Sequence, residues 1–161
     1  MSLTRQPHLE LLDYTITLAS ENVRSGKGGP FAALVVVDGK IIAEGVNLVT
    51  STNDPTAHAE MVAIRRACAA LGTFQLTGAE MYTSCEPCPM CLGAIFWARP
   101  AVVFYAASCQ EAAAAGFDDA LIYHQIALPG DQRLIPMVQV ATPRSNHSFE
   151  TWQHNQQRVD Y

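Results

Sequence analysis

The sequence predicts an α/β fold in which helices cover a mixed central sheet. An apolar helix face near the N-terminus precedes two β-rich runs joined by an Asp-Gly turn, and further helix and strand patterns then alternate. Such alternation is typical of layered α/β domains. The 161 residues, 49% of them apolar, suffice for one core. We therefore predict a single domain, 1–161, with no linker.

The N-terminal elements follow from apolar periodicity and turn residues. The first predicted helix carries apolar residues at spacings of three and four: Leu9, Leu12, Ile16, Ala19 and Val23. Gly26 is placed to end this helix. The runs Phe31–Val37 and Ile41–Val46 flank Asp38-Gly39-Lys40, and an Asp-Gly pair between β-rich runs predicts a hairpin.

The later elements are bounded by residues that start or stop regular structure. Gly72 is suited to close the second helix, and Pro100 terminates the third. The predicted elements are a helix over Thr56–Leu71, a strand at Met81–Thr83, a helix ending at Ala98, a strand at Ala101–Ala106, a short helix at Glu111–Ala115, an edge strand at Ile135–Val140 and a terminal helix at Phe149–Arg158.

Charge and hydropathy argue against several classes of partner. The net charge is −5 and the basic residues are scattered, so the chain offers no cluster for a phosphate backbone. No apolar run approaches the roughly 20 residues of a membrane span, and Met1–Glu10 lacks the pattern of a signal peptide. We expect a cytoplasmic protein that binds neither nucleic acid nor membrane. Five cysteines without a secretion signal indicate ligands or core thiols rather than disulfides.

Three residues have the types and spacing of a catalytic zinc site. Cys88 and Cys91 lie three apart at the predicted start of a helix, whose positive end favours thiolates. His58 also falls near a helix start, so we expect the metal where two helix N-termini converge. Three protein ligands leave the fourth tetrahedral position open for a water molecule.

Glu60 is the candidate general acid and base beside this site. It lies two residues after His58, and both side chains can reach one centre only in the first turn of the helix. The order H-x-E followed by P-C-x-x-C is typical of zinc deaminases. The alternative is a structural zinc site without catalysis, which needs a fourth ligand; Cys85 is the candidate near the motif. Cys68 and Cys109 are expected to be buried thiols, and His8, His124, His147 and His154 surface residues.

At these residues the sequence resembles the cytidine deaminase superfamily and, within it, the small bacterial guanine deaminases over nearly the whole chain. The stretches that carry the resemblance are Gly28-Gly29-Pro30-Phe31, Asn53 to Glu60, Tyr82 to Ile95, Gly116-Phe117-Asp118-Asp119 and the terminal Tyr161. The resemblance implies a three-layer α/β/α sandwich with a mixed five-stranded sheet. It also implies one zinc ion per subunit and a homodimer that exchanges its C-terminal segments, about 143–161, so that the tail of one subunit closes the other's site.

The resemblance further implies roles for individual residues. Asn47 would contact the purine, Ala59 would offer backbone groups beside the metal, and Asp119 would accept hydrogen bonds from ring N–H groups and assist proton transfer. The apolar walls would come from Phe31 and Trp97, and Tyr161 would close the site. Without the resemblance, Asn47 is equally suited to a turn, Phe31 and Trp97 to the core, and Asp119 to a helix cap.

The expected reaction is zinc-dependent hydrolysis of guanine, a cyclic amidine, to xanthine and ammonia in purine catabolism. Related aminated heterocycles such as ammeline are candidate second substrates, because a pocket that reads a ring edge discriminates weakly against near-isosteres. The main competing function is that of a tRNA adenosine deaminase, whose motifs are similar but which must hold an RNA loop. The residues are also compatible with cytosine or cytidine deamination and with a non-catalytic binding module braced by zinc.

Overall fold

The sheet and the helices that cover it belong to the first part of the chain, up to Asp119. The computed structural model describes residues 6–161. The first half of the segment Met1–Glu10, for which the sequence predicts no signal peptide, lies outside the described residues. The elements of this first unit are α1 (Leu9–Arg24), β1 (Ala32–Val37), β2 (Lys40–Val46), α2 (Val49–Thr52), α3 (Ala59–Leu71), β3 (Glu80–Cys85), α4 (Pro89–Ala98), β4 (Val102–Ala107) and α5 (Cys109–Ala114).

The strands are ordered β2-β1-β3-β4. β1 is antiparallel to both β2 and β3, whereas β3 and β4 are parallel, which confirms the mixed sheet. The hairpin turns at Asp38 and Gly39, whose φ values of 49° and 73° are positive as a tight hairpin of this type requires. The predicted helices and strands before residue 116 are all present, with ends shifted by a few residues.

Both faces of the sheet are covered, which explains why β1 is apolar throughout instead of alternating. Ala33 and Val35 of β1 pack in one buried cluster with the small residues of α3 and with Ile95 of α4. Leu34 and Val36 point to the other face and pack with Leu12 and other apolar residues of α1. The first unit thus has helices on both sides of the sheet, as expected for an α/β/α sandwich.

The buried face of α1 agrees only in part with the predicted one. Of the predicted residues, Ala19 is buried and Leu12 packs against the sheet, whereas Leu9, Ile16 and Val23 are 69%, 45% and 50% exposed. Thr15 and Asn22 are buried as well. Thr15 donates its hydroxyl hydrogen to the Leu12 carbonyl, and Asn22 donates to backbone carbonyls of two loops. Apolar periodicity missed these two polar side chains because they are buried with hydrogen-bond partners.

Residues 120–161 form a second unit. It contains α6 (Ala120–Ala127), a short 3-10 helix (Gly130–Gln132) and α7 (His147–His154). The terminal helix was predicted at Phe149–Arg158, and α6 was not predicted. None of the residues from 120 to 161 is buried.

The predicted edge strand at Ile135–Val140 was wrong. This segment has no regular secondary structure, so the sheet of residues 6–161 has four strands and the fifth is not confirmed. Ile135, Val138 and Val140 are 80%, 74% and 79% exposed. A β-branched run forms a strand only where a neighbouring strand pairs with it and a face is buried, and among residues 6–161 the segment has neither.

No helix in the described range 6–161 is long and apolar enough to cross a membrane.

Gly45 of β2 determines how closely α3 approaches the sheet. A Cβ atom at Gly45 would lie 2.1 Å from the carbonyl oxygen of Ala59 and 2.5 Å from the backbone nitrogen of Ala63. Both atoms belong to the backbone of α3, so they cannot move without the helix. The absence of a side chain at Gly45 therefore allows the N-terminal part of α3 to pack directly against β2.

Replacing Gly45 by alanine is expected to destabilise the protein by about 2–3 kcal/mol, because the new methyl group must push α3 away from β2. The measurement is urea unfolding of the variant and the wild type, with the slope checked for two-state behaviour. A difference below about 0.5 kcal/mol, within the usual range of harmless surface changes, would contradict this close contact.

Candidate active site

His58 occupies the N-cap of α3, after a loop held by its own side chains. Asp54 accepts hydrogen bonds from the backbone N–H and the hydroxyl of Thr56, at 2.8 and 2.7 Å. The N–H of His58 then donates to the Thr56 carbonyl at 2.8 Å. These bonds hold the backbone extended at His58, with φ −67° and ψ 156°, before the helix begins at Ala59.

The two cysteines lie at the start of α4. Cys88 is the N-cap residue, Pro89 occupies the first helical turn, and Cys91 follows within the same turn. Proline is suited to this position because its missing N–H has no helical partner to lose. Cys91 is fully buried and Cys88 half-buried. The prediction that two helix N-termini meet at the metal site is confirmed, since His58 and Cys88 are the N-caps of α3 and α4.

The three side chains have the separations that zinc requires. Nδ1 of His58 lies 3.4 Å from Sγ of Cys88 and 3.6 Å from Sγ of Cys91. A tetrahedral zinc ion, with bonds of about 2.3 Å to sulfur and 2.0–2.1 Å to nitrogen, places these atoms roughly 3.6 Å apart. All ligand atoms of the group lie within 4.8 Å of one another. The donor set therefore fits zinc, and it leaves one tetrahedral position for a water molecule or substrate.

The thiols of Cys88 and Cys91 have pKa values shifted in opposite directions. The pKa of Cys88 is lowered to about 4, because Cys91 donates a hydrogen bond to its sulfur and His58 lies beside it. The pKa of Cys91 is raised, first by that same hydrogen bond and then by burial. A divalent cation bonded to both sulfurs replaces the proton of this hydrogen bond, because only thiolates bind the metal strongly.

Cys85 does not act as a fourth ligand. Its thiol donates to the carbonyl of Ser108 at 3.7 Å, and burial raises its pKa to about 11. Within residues 6–161, only His58, Cys88 and Cys91 form a group of side chains that could hold a metal. A closed four-ligand structural site is therefore not supported. Cys68 and Cys109 are half-buried free thiols outside this group, and the other histidines are exposed as expected.

Glu60 lies in the first turn of α3 beside the ligands. Its side chain is 8% exposed and lies beside the Cys91 thiol and its own backbone N–H. Burial raises the pKa of its carboxyl group. A buried carboxyl group of raised pKa beside a metal ligand is suited to accept and return a proton.

Asn47 follows β2 and is nearly buried, at 7% exposed. Its Oδ1 atom accepts hydrogen bonds from the N–H groups of Gly29 and Val49, both at 3.3 Å. Because both partners are donors, the orientation of the amide is determined and Nδ2 is left to donate elsewhere. Ala59, at the first position of α3, has a backbone N–H without an acceptor inside the helix.

Asp119 and Phe31 lie in loops near the metal ligands. The pKa of Asp119 is raised, mainly by partial burial and also by the negative charge of Cys88 nearby. Phe31 is half-buried, and the edge of its ring meets Phe117 with ring centres 4.9 Å apart. This contact joins the loop before β1 to the loop that carries Asp119.

Trp97 lies on α4, C-terminal to the metal ligand Cys91, and Tyr161 belongs to the second unit. Trp97 is 63% exposed, and six residues separate it from Cys91, which corresponds to about 9 Å along α4. Within the second unit, the ring of Tyr161 meets Trp152 with centres 6.2 Å apart. The substrate roles of both residues stay predictions.

Phe117 and Asn22 contact the residues predicted to bind substrate, but sequence reasoning gave neither of them a role. Phe117 stands next to Asp118-Asp119, and an aromatic residue beside acidic loop residues was the available signal. Asn22 had no such signal, because a polar residue in an amphipathic helix is normally placed on the exposed face.

Comparison with known proteins agrees with this geometry. The sequence profile of the cytidine and deoxycytidylate deaminase zinc-binding region matches residues 5–107. A guanine deaminase from Bacillus subtilis is 54% identical over 154 residues, covering 96% of this chain and 99% of the relative. The X-ray structure of guanine deaminase from Bacillus subtilis superposes with a TM-score of 0.95 and 53% sequence identity, over 97% of this chain and 99% of that one.

The resemblance to RNA-modifying relatives covers less of the chain. A tRNA-specific adenosine deaminase from Agrobacterium fabrum is 47% identical over 78 residues, which is 48% of this chain and 51% of the relative. With a matching profile over well more than half its length and a relative that aligns from end to end, the chain belongs to the cytidine and deoxycytidylate deaminase family.

Proposed function

We propose that this protein is a guanine deaminase, which hydrolyses guanine to xanthine and ammonia. The observation that carries the reaction class is a zinc site of three ligands, His58, Cys88 and Cys91, with the buried carboxylate of Glu60 beside it. The end-to-end similarity to a guanine deaminase supports the choice of base.

His58, Cys88 and Cys91 would hold a zinc ion, which would activate a water molecule for attack on C2 of guanine, the carbon that carries the amino group. Glu60 accepts the proton of this water and delivers it to N3 of the ring. Asp119 accepts hydrogen bonds from ring N–H groups and assists transfer of a proton to the departing amine. One water molecule is consumed, and the C–N bond to the amino group is exchanged for a C–O bond.

The base is held by groups whose orientation the surrounding backbone determines. The Nδ2 group of Asn47 donates to an acceptor atom of the purine, because its Oδ1 is already occupied by two backbone N–H groups. The ring of Phe31 forms an apolar wall and is supported by Phe117. The backbone N–H of Ala59 contributes a donor beside the metal, and Trp97 contributes a second wall.

The test is ammonia release by the zinc-loaded protein from guanine, adenine, cytosine, cytidine, ammeline and an adenosine-containing tRNA stem-loop. Release from guanine at a rate well above that from the other bases supports the proposal. Activity on the RNA alone would replace it with tRNA adenosine deamination, a function whose relative from Agrobacterium fabrum matches 48% of this chain. No release from any compound, by protein whose zinc content has been measured, would contradict a deaminase function.

The proposal includes a homodimer in which each subunit is a single domain and the C-terminal segments, about 143–161, are exchanged between the two subunits. It is supported by the lack of any buried residue in 120–161, which indicates that this unit does not fold independently. It is also supported by α4, where Leu92, Phe96 and Trp97 are exposed although a helix this apolar is normally covered.

Deleting Val159, Asp160 and Tyr161 is expected to lower kcat/KM for guanine by about tenfold to a hundredfold, because these residues close the site against water. Tyr161 packs on Trp152, so its ring is available as a rigid part of this closure. The measurement pairs steady-state kinetics with thermal unfolding. The melting temperature should shift by less than about 2 °C, since the deleted residues bury little area. Unchanged kinetic constants would contradict a role in closure.

A further inference from the structure

Asn22 is a buried polar residue at the C-terminal end of α1 that joins two loops. It is 4% exposed. Its Nδ2 group donates one hydrogen bond to the carbonyl of Gly29 at 2.9 Å and another to the carbonyl of Asn47 at 2.8 Å. Its backbone carbonyl accepts hydrogen bonds from the hydroxyl of Ser25 and the N–H of Lys27. One residue thus holds both the loop before β1 and the segment after β2.

The two hydrogen bonds determine the orientation of the Asn22 amide and leave its oxygen atom unpaired. Both partners of Nδ2 are carbonyl oxygens, so Nδ2 and Oδ1 cannot be interchanged. Oδ1 is consequently left buried without a hydrogen-bond partner among the described residues. Leaving a buried acceptor unpaired is unfavourable. The two hydrogen bonds donated by Nδ2 are therefore what holds this amide in its orientation.

Both segments held by Asn22 carry residues of the proposed base-binding site. The loop Gly28–Phe31 presents the Phe31 ring, and the segment after β2 presents the amide of Asn47. The two are packed tightly against each other, because a Cβ atom at Gly28 would lie 2.1 Å from the Asn47 carbonyl oxygen. A shift of either backbone therefore moves the other.

We propose that Asn22 is a positioning residue for the base: its paired hydrogen bonds to Gly29 and Asn47 hold the Asn47 amide and the Phe31 ring at the separation that a purine requires. This inference rests on the proposed function and deepens it, because it adds a determinant of base recognition outside the site. Asn22 does not touch the metal ligands or Glu60, which are carried by α3 and α4. Its loss is therefore expected to weaken binding of the base more than it slows the chemical step.

The test is Asn22→Leu, which keeps the branched shape of the side chain and removes both donated hydrogen bonds. We expect KM for guanine to rise about tenfold or more while kcat changes by less than about threefold. Asn22→Ser, which is too short to reach both carbonyls but admits water to them, is the second variant if Asn22→Leu does not fold. Its KM should rise about threefold or more. A wild-type KM in either folded variant would overturn the proposal.

A control and a double-mutant cycle separate positioning from a general structural effect. Thr15→Val is the matched control, since Thr15 is fully buried on the same helix and its hydroxyl donates only to Leu12. It should lower the melting temperature without changing KM. In an Asn47→Ala background, Asn22→Leu should raise KM by only about twofold, because the amide that it positions is gone. Full additivity of the two effects would also count against the proposal.

A direct measurement of base binding tests the role of Asn22 separately from the identity of the substrate. Calorimetric titration of guanine into Glu60→Gln and into Glu60→Gln with Asn22→Leu gives the two Kd values without turnover, and their ratio should match the KM effect. If the substrate panel identifies a different base, guanine deamination fails and the same pair of proteins is titrated with that base. Equal Kd values in that titration would then overturn the role of Asn22.

Discussion

Glu60→Gln is expected to retain zinc and to lose turnover of guanine by at least about 10²–10⁴-fold, the usual contribution of a positioned general acid and base. Glutamine has nearly the same shape as glutamate, so the packing of this side chain, which is 8% exposed, is preserved. It cannot accept a proton and return it. The loss should appear mainly in kcat, because the base is bound by other residues.

The measurement combines steady-state kinetics with metal analysis of the same preparation. Glu10→Gln is the matched control, since Glu10 also lies in the first turn of a helix but is exposed on α1. This control should have wild-type kinetics and zinc content. Near-normal turnover by zinc-loaded Glu60→Gln would remove Glu60 from the mechanism.

Cys91→Ser is expected to bind zinc at least about 10²-fold more weakly and to lose activity in proportion to the lost metal. A structural zinc ion with four ligands contributes about 10–16 kcal/mol, so the share of a single ligand is several kcal/mol. The serine hydroxyl is close in size to the thiol but is not deprotonated near neutral pH and binds zinc poorly. Folding should survive, because the fully buried position receives a side chain of nearly the same size.

Cys85→Ser is the matched control for this prediction. Cys85 is also buried and lies six residues before Cys91, yet its thiol donates to the carbonyl of Ser108 and not to the metal group. A serine hydroxyl can make the same donation. The control should keep one zinc ion per chain and wild-type turnover. Loss of zinc from Cys85→Ser, with Cys91→Ser unaffected, would reverse the assignment of the ligands.

Local signals were sufficient for most elements of the first unit. The Asp38-Gly39 turn and the left-handed Gly72 after α3 act through their own backbone geometry, and each lies where it was predicted. The Ile135–Val140 strand failed for the opposite reason. Its β-branched residues have a high strand propensity but no partner strand in the described part of the chain, and propensity without pairing does not form a strand.

The face of α1 shows the same limit inside a correctly predicted helix. The helix is formed, but the residues buried along it, Thr15, Ala19 and Asn22, include only one member of the predicted apolar set. Which face is buried depends on hydrogen bonds to carbonyls far along the chain, such as that of Asn47. No pattern within the helix encodes a partner 25 residues away.

The chemistry of the metal site is encoded locally, in the residue types and short spacings of His58, Glu60, Cys88 and Cys91, because helix starts place these side chains whatever the surrounding fold. Their convergence is not local. It depends on the sheet, on Gly45, which allows α3 to approach it, and on the contact of α3 with α4, which brings Nδ1 of His58 within 3.4 Å of Cys88. The support of the base-binding residues by Asn22 and Phe117 likewise exists only in the folded chain, because it consists of contacts between segments distant in sequence.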